Sequence, residues 1–169
     1  YSRNIDHLFL PHTPNRVLVK EEPIPDHKAG MNTIVSLLTD KQHGIIEDTG
    51  EIFAIGHRVV HGGERFHTPT LIDDEVIKTI EETIPLAPLH NPANLMGIRV
   101  AQALIPRASQ VAIFDTAFHH GHPWVNDTFA LPREFYNAGV RRYGFHGLSY
   151  DYIAGALARA HPGLAKGKV

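Results

Sequence analysis

Apolar positions along the chain follow two rhythms. Over 28–39, Met31, Ile34, Val35 and Leu38 recur at the three-and-four spacing of a helix face. The rhythm returns over 73–84, where Val76, Ile77, Ile80 and Ile84 share a face and Asp73 stands where it can cap the first turn. A third helix is predicted from Asn91, with Asn91 at the cap, Pro92 at the first helical position, and Leu95, Ile98, Ala101, Leu104 and Ile105 as its apolar face. Pro106 ends it. Short apolar runs over 52–60 and 110–114 read as strands, and Asp115 sits at the C-terminal end of the second.

Glycine and proline mark what lies between. Residues 1–27 are broken by Pro11, Pro14, Pro23 and Pro25, and only Val17-Leu18-Val19 alternates as a strand does. Gly44 and Asp48-Thr49-Gly50 mark turns. Pro85 and Pro88 predict a stiff, extended linker through His90. A long loop is expected over 116–131, a short helix over 132–138 ending at Gly139, and a glycine-punctuated loop over 141–147. Ser149 is placed to cap a last helix running to about Ala160, closed by Pro162-Gly163. Strands alternating with helices predict an α/β layered fold.

Composition narrows the functional classes. The 169 residues carry 16 basic and 18 acidic side chains, a net charge of −2, which excludes an electrostatic nucleic-acid binder. With no cysteine there is neither a disulfide nor a thiolate metal site. No apolar run approaches the ~18 residues of a membrane helix, so no membrane partner is expected. The chain opens at Tyr1 without a methionine and closes at Val169 without a distinct tail, and both ends are expected to be cuts in a longer protein.

Thirteen histidines invite a metal site. The spacing argues against one. His57 and His61, on a predicted strand, are not brought together as they would be on a helix, no His-Glu-x-x-His occurs, and His119, His120 and His122 have no carboxylate cluster at ligand spacing.

Four stretches carry chemistry. Arg58 leaves a strand into Gly62-Gly63, where its planar fork can take a carboxylate or phosphate, or else pair with a structural carboxylate. Asp115 lies beyond a strand's carboxyl end, where ligands of α/β sheets sit; a loop cap is the alternative. Arg142-Tyr143-Gly144-Phe145-His146-Gly147 sets cations beside glycines, suited either to developing negative charge or to a plain turn. His90 stands at a helix start, where a structural role competes with a catalytic one, and Leu89 beside it can line a small apolar pocket.

Together, His57-Arg58-Val59-Val60-His61-Gly62-Gly63-Glu64, Ala87-Pro88-Leu89-His90-Asn91-Pro92, Phe114-Asp115-Thr116-Ala117-Phe118-His119 and the 142–147 stretch resemble, in order and spacing, the motifs of the acetate kinase family. That family belongs to the superfamily of acetate and sugar kinases, heat-shock proteins and actin. The resemblance runs from about residue 28 to the end. It departs at Gly147-Leu148-Ser149-Tyr150, where members usually carry Gly-Thr-Ser-His.

The resemblance implies part of a ribonuclease-H-like N-terminal domain, a mixed sheet with flanking helices. Residues 1–27 form an irregular lead-in, and 28–169 the acetate-subsite portion. The family's N-terminal phosphate hairpin and its nucleotide-binding domain, with a second arginine and a magnesium carboxylate, are expected to be absent. The implied reaction is reversible phosphorylation of acetate by ATP to acetyl phosphate and ADP, with Mg2+, in the cytoplasm, by an enzyme whose full-length relatives are homodimers. Asp115, His146 and His90 are implied as catalytic. Arg58, Val60, Leu89 and Phe145 are implied as substrate-binding, and most ATP and Mg2+ ligands fall outside the chain, with no metal residue in it. Competing expectations are a propionate or butyrate kinase of the same family, separated by the residue at Val60, and a non-catalytic carboxylate-binding domain. A metal-dependent hydrolase is the remaining alternative.

Overall fold

The computed structural model describes residues 22–167 and the backbone of two short strands, β1 (Leu8–Phe9) and β2 (Val17–Leu18), which pair antiparallel. The other residues of the predicted irregular lead-in before residue 22 lie outside the described residues. The chain divides into two compact units: one takes the residues up to Ile55 with Met96–Ser109, the other Gly56–Leu95 with the residues from Gln110 onward.

In the first unit, α1 (His27–Leu38) occupies the predicted place, with Asp26 accepting the Ala29 amide at its N-terminus. Among the described residues of this unit, the buried apolar ones are Ile98, Ala101, Ile105 and Ala108.

The mixed sheet has the order β3 (Ala54–Val59), β5 (Ser109–Phe114), β4 (Thr70–Leu71). β3 and β5 run parallel: Ser109 donates to the Phe53 carbonyl and Asp115 to the Val59 carbonyl, in the same sense along both strands. β4 lies antiparallel on β5, with Thr70 opposite Ala112. Gln110, Ala112 and Phe114 alternate into the buried face of β5, the period of two that the strand prediction needs.

In the second unit, α2 (Asp74–Glu82) buries Val76, Thr79 and Ile80, and Asp73 caps it by accepting from the Val76 amide at 2.9 Å. Asp74 and Glu75 in its first turn suit the positive end of the helix dipole. This unit also holds the start of α3 (Asn91–Leu104), as far as Leu95, and α4 (Arg133–Asn137) and α5 (Gly147–Ala160).

Four local expectations change. The stretch after α2 is not extended: Ile84–Leu86 form a 3-10 turn, and His90 donates to the Ala87 carbonyl. The fixed φ of Pro85 and Pro88 suits a turn as well as an extended chain, and the turn gives Leu86 and Ala87 amides the Thr83 carbonyl. α5 starts at Gly147 rather than at a Ser149 cap, with His146 at the cap position in the left-handed region, φ 58°. The loop over 116–131 holds two 3-10 turns, Ala117–His119 and Trp124–Asn126.

The fourth change is at Asn91. It does not cap α3. Its side chain is buried, with Oδ1 accepting the His61 amide at 3.2 Å and Nδ2 donating to the carbonyls of His61 and Ile80 at 3.1 Å and to Thr83 Oγ1 at 2.9 Å. Asn91→Ala strands several buried polar groups, so it should cost about 3 kcal/mol. For a chain of this length that lowers Tm by roughly 6–12 °C. A thermal melt that moves by less than about 2 °C contradicts this account.

Candidate active site

The chain leaves β3 through buried backbone. Each amide from Val60 to Gly63 donates to a side chain: Val60 to Asn94 Oδ1 at 3.1 Å, His61 to Asn91 Oδ1, Gly62 to Thr116 Oγ1 at 3.4 Å, and Gly63 to His61 Nδ1 at 3.0 Å. A Cβ at Gly62 would overlap the Phe114 ring, so only glycine lets the turn pass this close to β5. Arg58 and Val60 are thereby held on one side of the turn.

Arg58 meets Asp115 at the ends of the two parallel strands. Nε lies 3.1 Å from both carboxylate oxygens and one terminal nitrogen, Nη2, lies 2.5 Å from Oδ2. Asp115 is 1% exposed and Arg58 56% exposed, so the carboxylate is sequestered while the guanidinium faces outward. The hydrogen bond to Asp115 raises the Arg58 pKa further above its ordinary value, against a smaller opposing effect of burial. The Asp115 side uses the Nε edge, which leaves Nη1 for an incoming anion.

The 141–147 loop is fastened from several directions. The Gly147 amide donates to the Asp115 carbonyl at 2.8 Å, and a Cβ at Gly147 would overlap that oxygen. Glu64 accepts from Arg141 Nε at 2.5 Å and from the Tyr143 hydroxyl at 3.3 Å. Burial, then the Glu64 charge, raises the Tyr143 pKa. The His61 ring lies edge-on to Tyr143 and Phe145, with centroids 4.5 and 5.7 Å away.

A cavity of about 330 Å³ opens between these parts. Arg58, Val60, Leu89, His90, Asp115, Phe145 and His146, the seven residues the resemblance implied, all line it, whereas Arg142 of the 142–147 stretch does not. Val60 and Asp115 are buried, whereas Leu89, His90 and His146 are exposed. Leu86, which the sequence argument did not single out, lines it too, brought there by the 3-10 turn. Asn91 and Asn94, also missed, hold the turn behind Val60; their spacing of three on one helix face was the available signal. Asp115, the one acidic side chain of the lining, is committed to Arg58. Arg58 is the charged group that the wall leaves open, which suits a small carboxylate or a phosphate.

The sequence matches the model of the acetokinase family over residues 7–164. It is 52% identical over 138 residues to the acetate kinase of Desulforamulus reducens, an alignment covering 81% of this chain and 35% of that protein. The crystal structure of Porphyromonas gingivalis acetate kinase is similar with a TM-score of 0.76 at 46% identity, over 85% of this chain and 36% of that one. A propionate kinase from Francisella tularensis is similar with a TM-score of 0.75 at 36% identity, over 87% of this chain and 37% of that one. The chain thus spans little more than a third of the length of these relatives.

Burial also lowers the His61 pKa below the ordinary 6.5. The unfolded chain takes up the proton more readily, so the stability His61 contributes is complete above 6.5 and is lost as pH falls below it. Protonation at Nδ1 also removes the acceptor that Gly63 uses. Between about pH 7.5 and 5.5, Tm of the wild type should fall more than that of His61→Gln. Parallel pH profiles would exclude His61 as a source of acid lability.

Proposed function

The chain belongs to the acetokinase family, and on that premise we propose that it carries the acetate-binding portion of an enzyme that phosphorylates acetate with ATP, reversibly. One observation carries the reading: Arg58, His90 and His146 converge on a single cavity whose remaining wall, apart from the Arg58-bound Asp115, is apolar, with Val60, Leu89 and Phe145 in it. A short carboxylic acid has the matching halves, an anionic head and a small apolar tail.

In this reading Nη1 of Arg58 takes a carboxylate oxygen of acetate or an oxygen of the transferring phosphoryl group. The other acetate oxygen attacks the γ-phosphorus, a phosphorus–oxygen bond forms, and the bond to the ADP oxygen breaks. His146 and His90 stabilise charge on the transferring group. Asp115 orients Arg58: its carboxylate is already engaged, and acetate, ionised near neutral pH, has no proton for it to remove. Catalysis is then mostly positioning and electrostatics. Magnesium accompanies ATP in such enzymes, and the residues described offer it no ligand set.

In this reading residues 28–169 serve as the acetate-subsite portion, and the nucleotide platform, the second arginine and the magnesium carboxylate lie outside them; the chain's span of 35% of one relative and 36% of another supports it. The enzyme works as a homodimer in the cytoplasm. The propionate kinase relative keeps a longer acid open as the alternative substrate, with Val60 as the side chain nearest that choice.

Acetate titrated into the labelled chain should shift the Arg58 and His146 resonances, and Arg58→Lys should weaken binding about tenfold, because an ammonium cannot replace the fork. Unchanged affinity in the Lys variant removes Arg58 from the site. Val60→Ala should raise the propionate-to-acetate affinity ratio roughly tenfold, the effect of room for one methylene. An unmoved ratio places Val60 outside the pocket. Calorimetry on the chain alone should give no ATP binding in the micromolar range, and acetyl phosphate formation should be lost with it; tight ATP binding would overturn the division of labour.

A further inference from the structure

His146 holds a left-handed backbone, φ 58° and ψ 26°, unusual for a residue with a Cβ. Such a conformation persists where the surroundings determine it. The two peptide planes that flank its Cα are both tied to the segment after β5. The plane between His146 and Gly147 is held by the Gly147 amide on the Asp115 carbonyl at 2.8 Å. The plane between Phe145 and His146 is held by His119, whose Nε2 lies 2.9 Å from the Phe145 carbonyl oxygen. A carbonyl only accepts, so Nε2 carries the proton. Because each peptide unit is planar, fixing both planes fixes φ and ψ of His146.

His119 itself is closely seated. Its ring occupies the space beside Gly144, where any Cβ would overlap it. Phe118 and Tyr150 lie edge-on to it, with ring centroids 5.4 and 5.5 Å away. Gly144 therefore exists to admit this ring, and the ring exists where its Nε2 reaches one carbonyl. His119 does not line the cavity of Arg58.

We propose that His119 is a positioning residue of the acetate site: by holding the Phe145 carbonyl it imposes the left-handed backbone of His146, and so places the Phe145 ring and the His146 imidazole on the cavity wall. The proposal rests on the function proposed above for its substrate, and on geometry alone for its backbone effect.

Two variants separate the donor from the ring. His119→Phe keeps a ring and removes the donor; His119→Gln keeps a donor at a similar reach. In the 169-residue chain, amide hydrogen exchange at Gly147 should accelerate about tenfold or more in the Phe variant and stay within about threefold of wild type in the Gln variant. Acetate affinity should follow the same order, while exchange at Asp115, whose amide closes the sheet, stays unchanged in both. A Phe variant that matches wild type in exchange and affinity overturns the proposal, and so does a Gln variant as impaired as the Phe variant. Should the Phe variant fail to fold, the wild type still decides: ring nitrogen shifts must show His119 protonated at Nε2, and a tautomer protonated at Nδ1 alone overturns the assignment. Should wild type not bind acetate, the proposed substrate falls, and Gly147 exchange alone judges the positioning role.

Discussion

Four consecutive backbone amides, Val60 to Gly63, must find partners away from the sheet, and the rest of the site depends on how they do so. A strand that ends inside a protein leaves donors that water cannot reach, and each one left open costs about 1–3 kcal/mol. Here they are met by α3 through Asn91 and Asn94, by the end of β5 through Thr116, and by the ring of His61. Asn91 also ties in the end of α2 through the Ile80 carbonyl and Thr83. One turn thus binds together the two helices and the strand end. The residues it presents, Arg58 and Val60, inherit that rigidity.

The Arg58–Asp115 pair builds on the same frame. Val59 and Asp115 share a backbone hydrogen bond, so the side chains at 58 and 115 emerge side by side. A buried carboxylate is tolerated only when paired, and Arg58 supplies the pairing from a position that remains exposed. The arrangement fixes a guanidinium without neutralising its open edge. That favours an anion approaching from the cavity over a flexible surface arginine, which would lose side-chain entropy on binding.

Much of this was legible in the chain. α2 lies within its predicted 73–84 because Val76 and Ile80 repeat at helical spacing behind a real cap at Asp73. β5 follows its alternation, and Asp115 stands at its end as expected. Arg58, Asp115, His90 and His146 came from motifs, and one cavity brings them together. What the sequence hid were choices between two local uses of one residue. Asparagine before proline signals a cap, yet Asn91 turns inward because the buried backbone of His61 needs both a donor and an acceptor. Serine at 149 can cap, yet the cap position falls three residues earlier, at His146, because Gly147 can approach the Asp115 carbonyl and a larger residue cannot. Such outcomes turn on partners far away in sequence, which periodicity does not register.

The cavity is uneven in a way that bears on specificity. Val60 and Asp115 are buried, but Leu89 is 86% exposed and Leu86 52% exposed. An apolar side chain discriminates a methyl from an ethyl group only when it helps to keep water out, since the driving term scales with the apolar surface removed from water. Val60, packed on fixed backbone, meets that condition by itself. Leu86 and Leu89 meet it only when something covers them. The rigid side therefore sets where the carboxylate head and the first carbon lie, through Arg58 and Val60. How long a tail is accepted depends on the exposed side, whose two leucines gain selectivity in proportion to the closure around them.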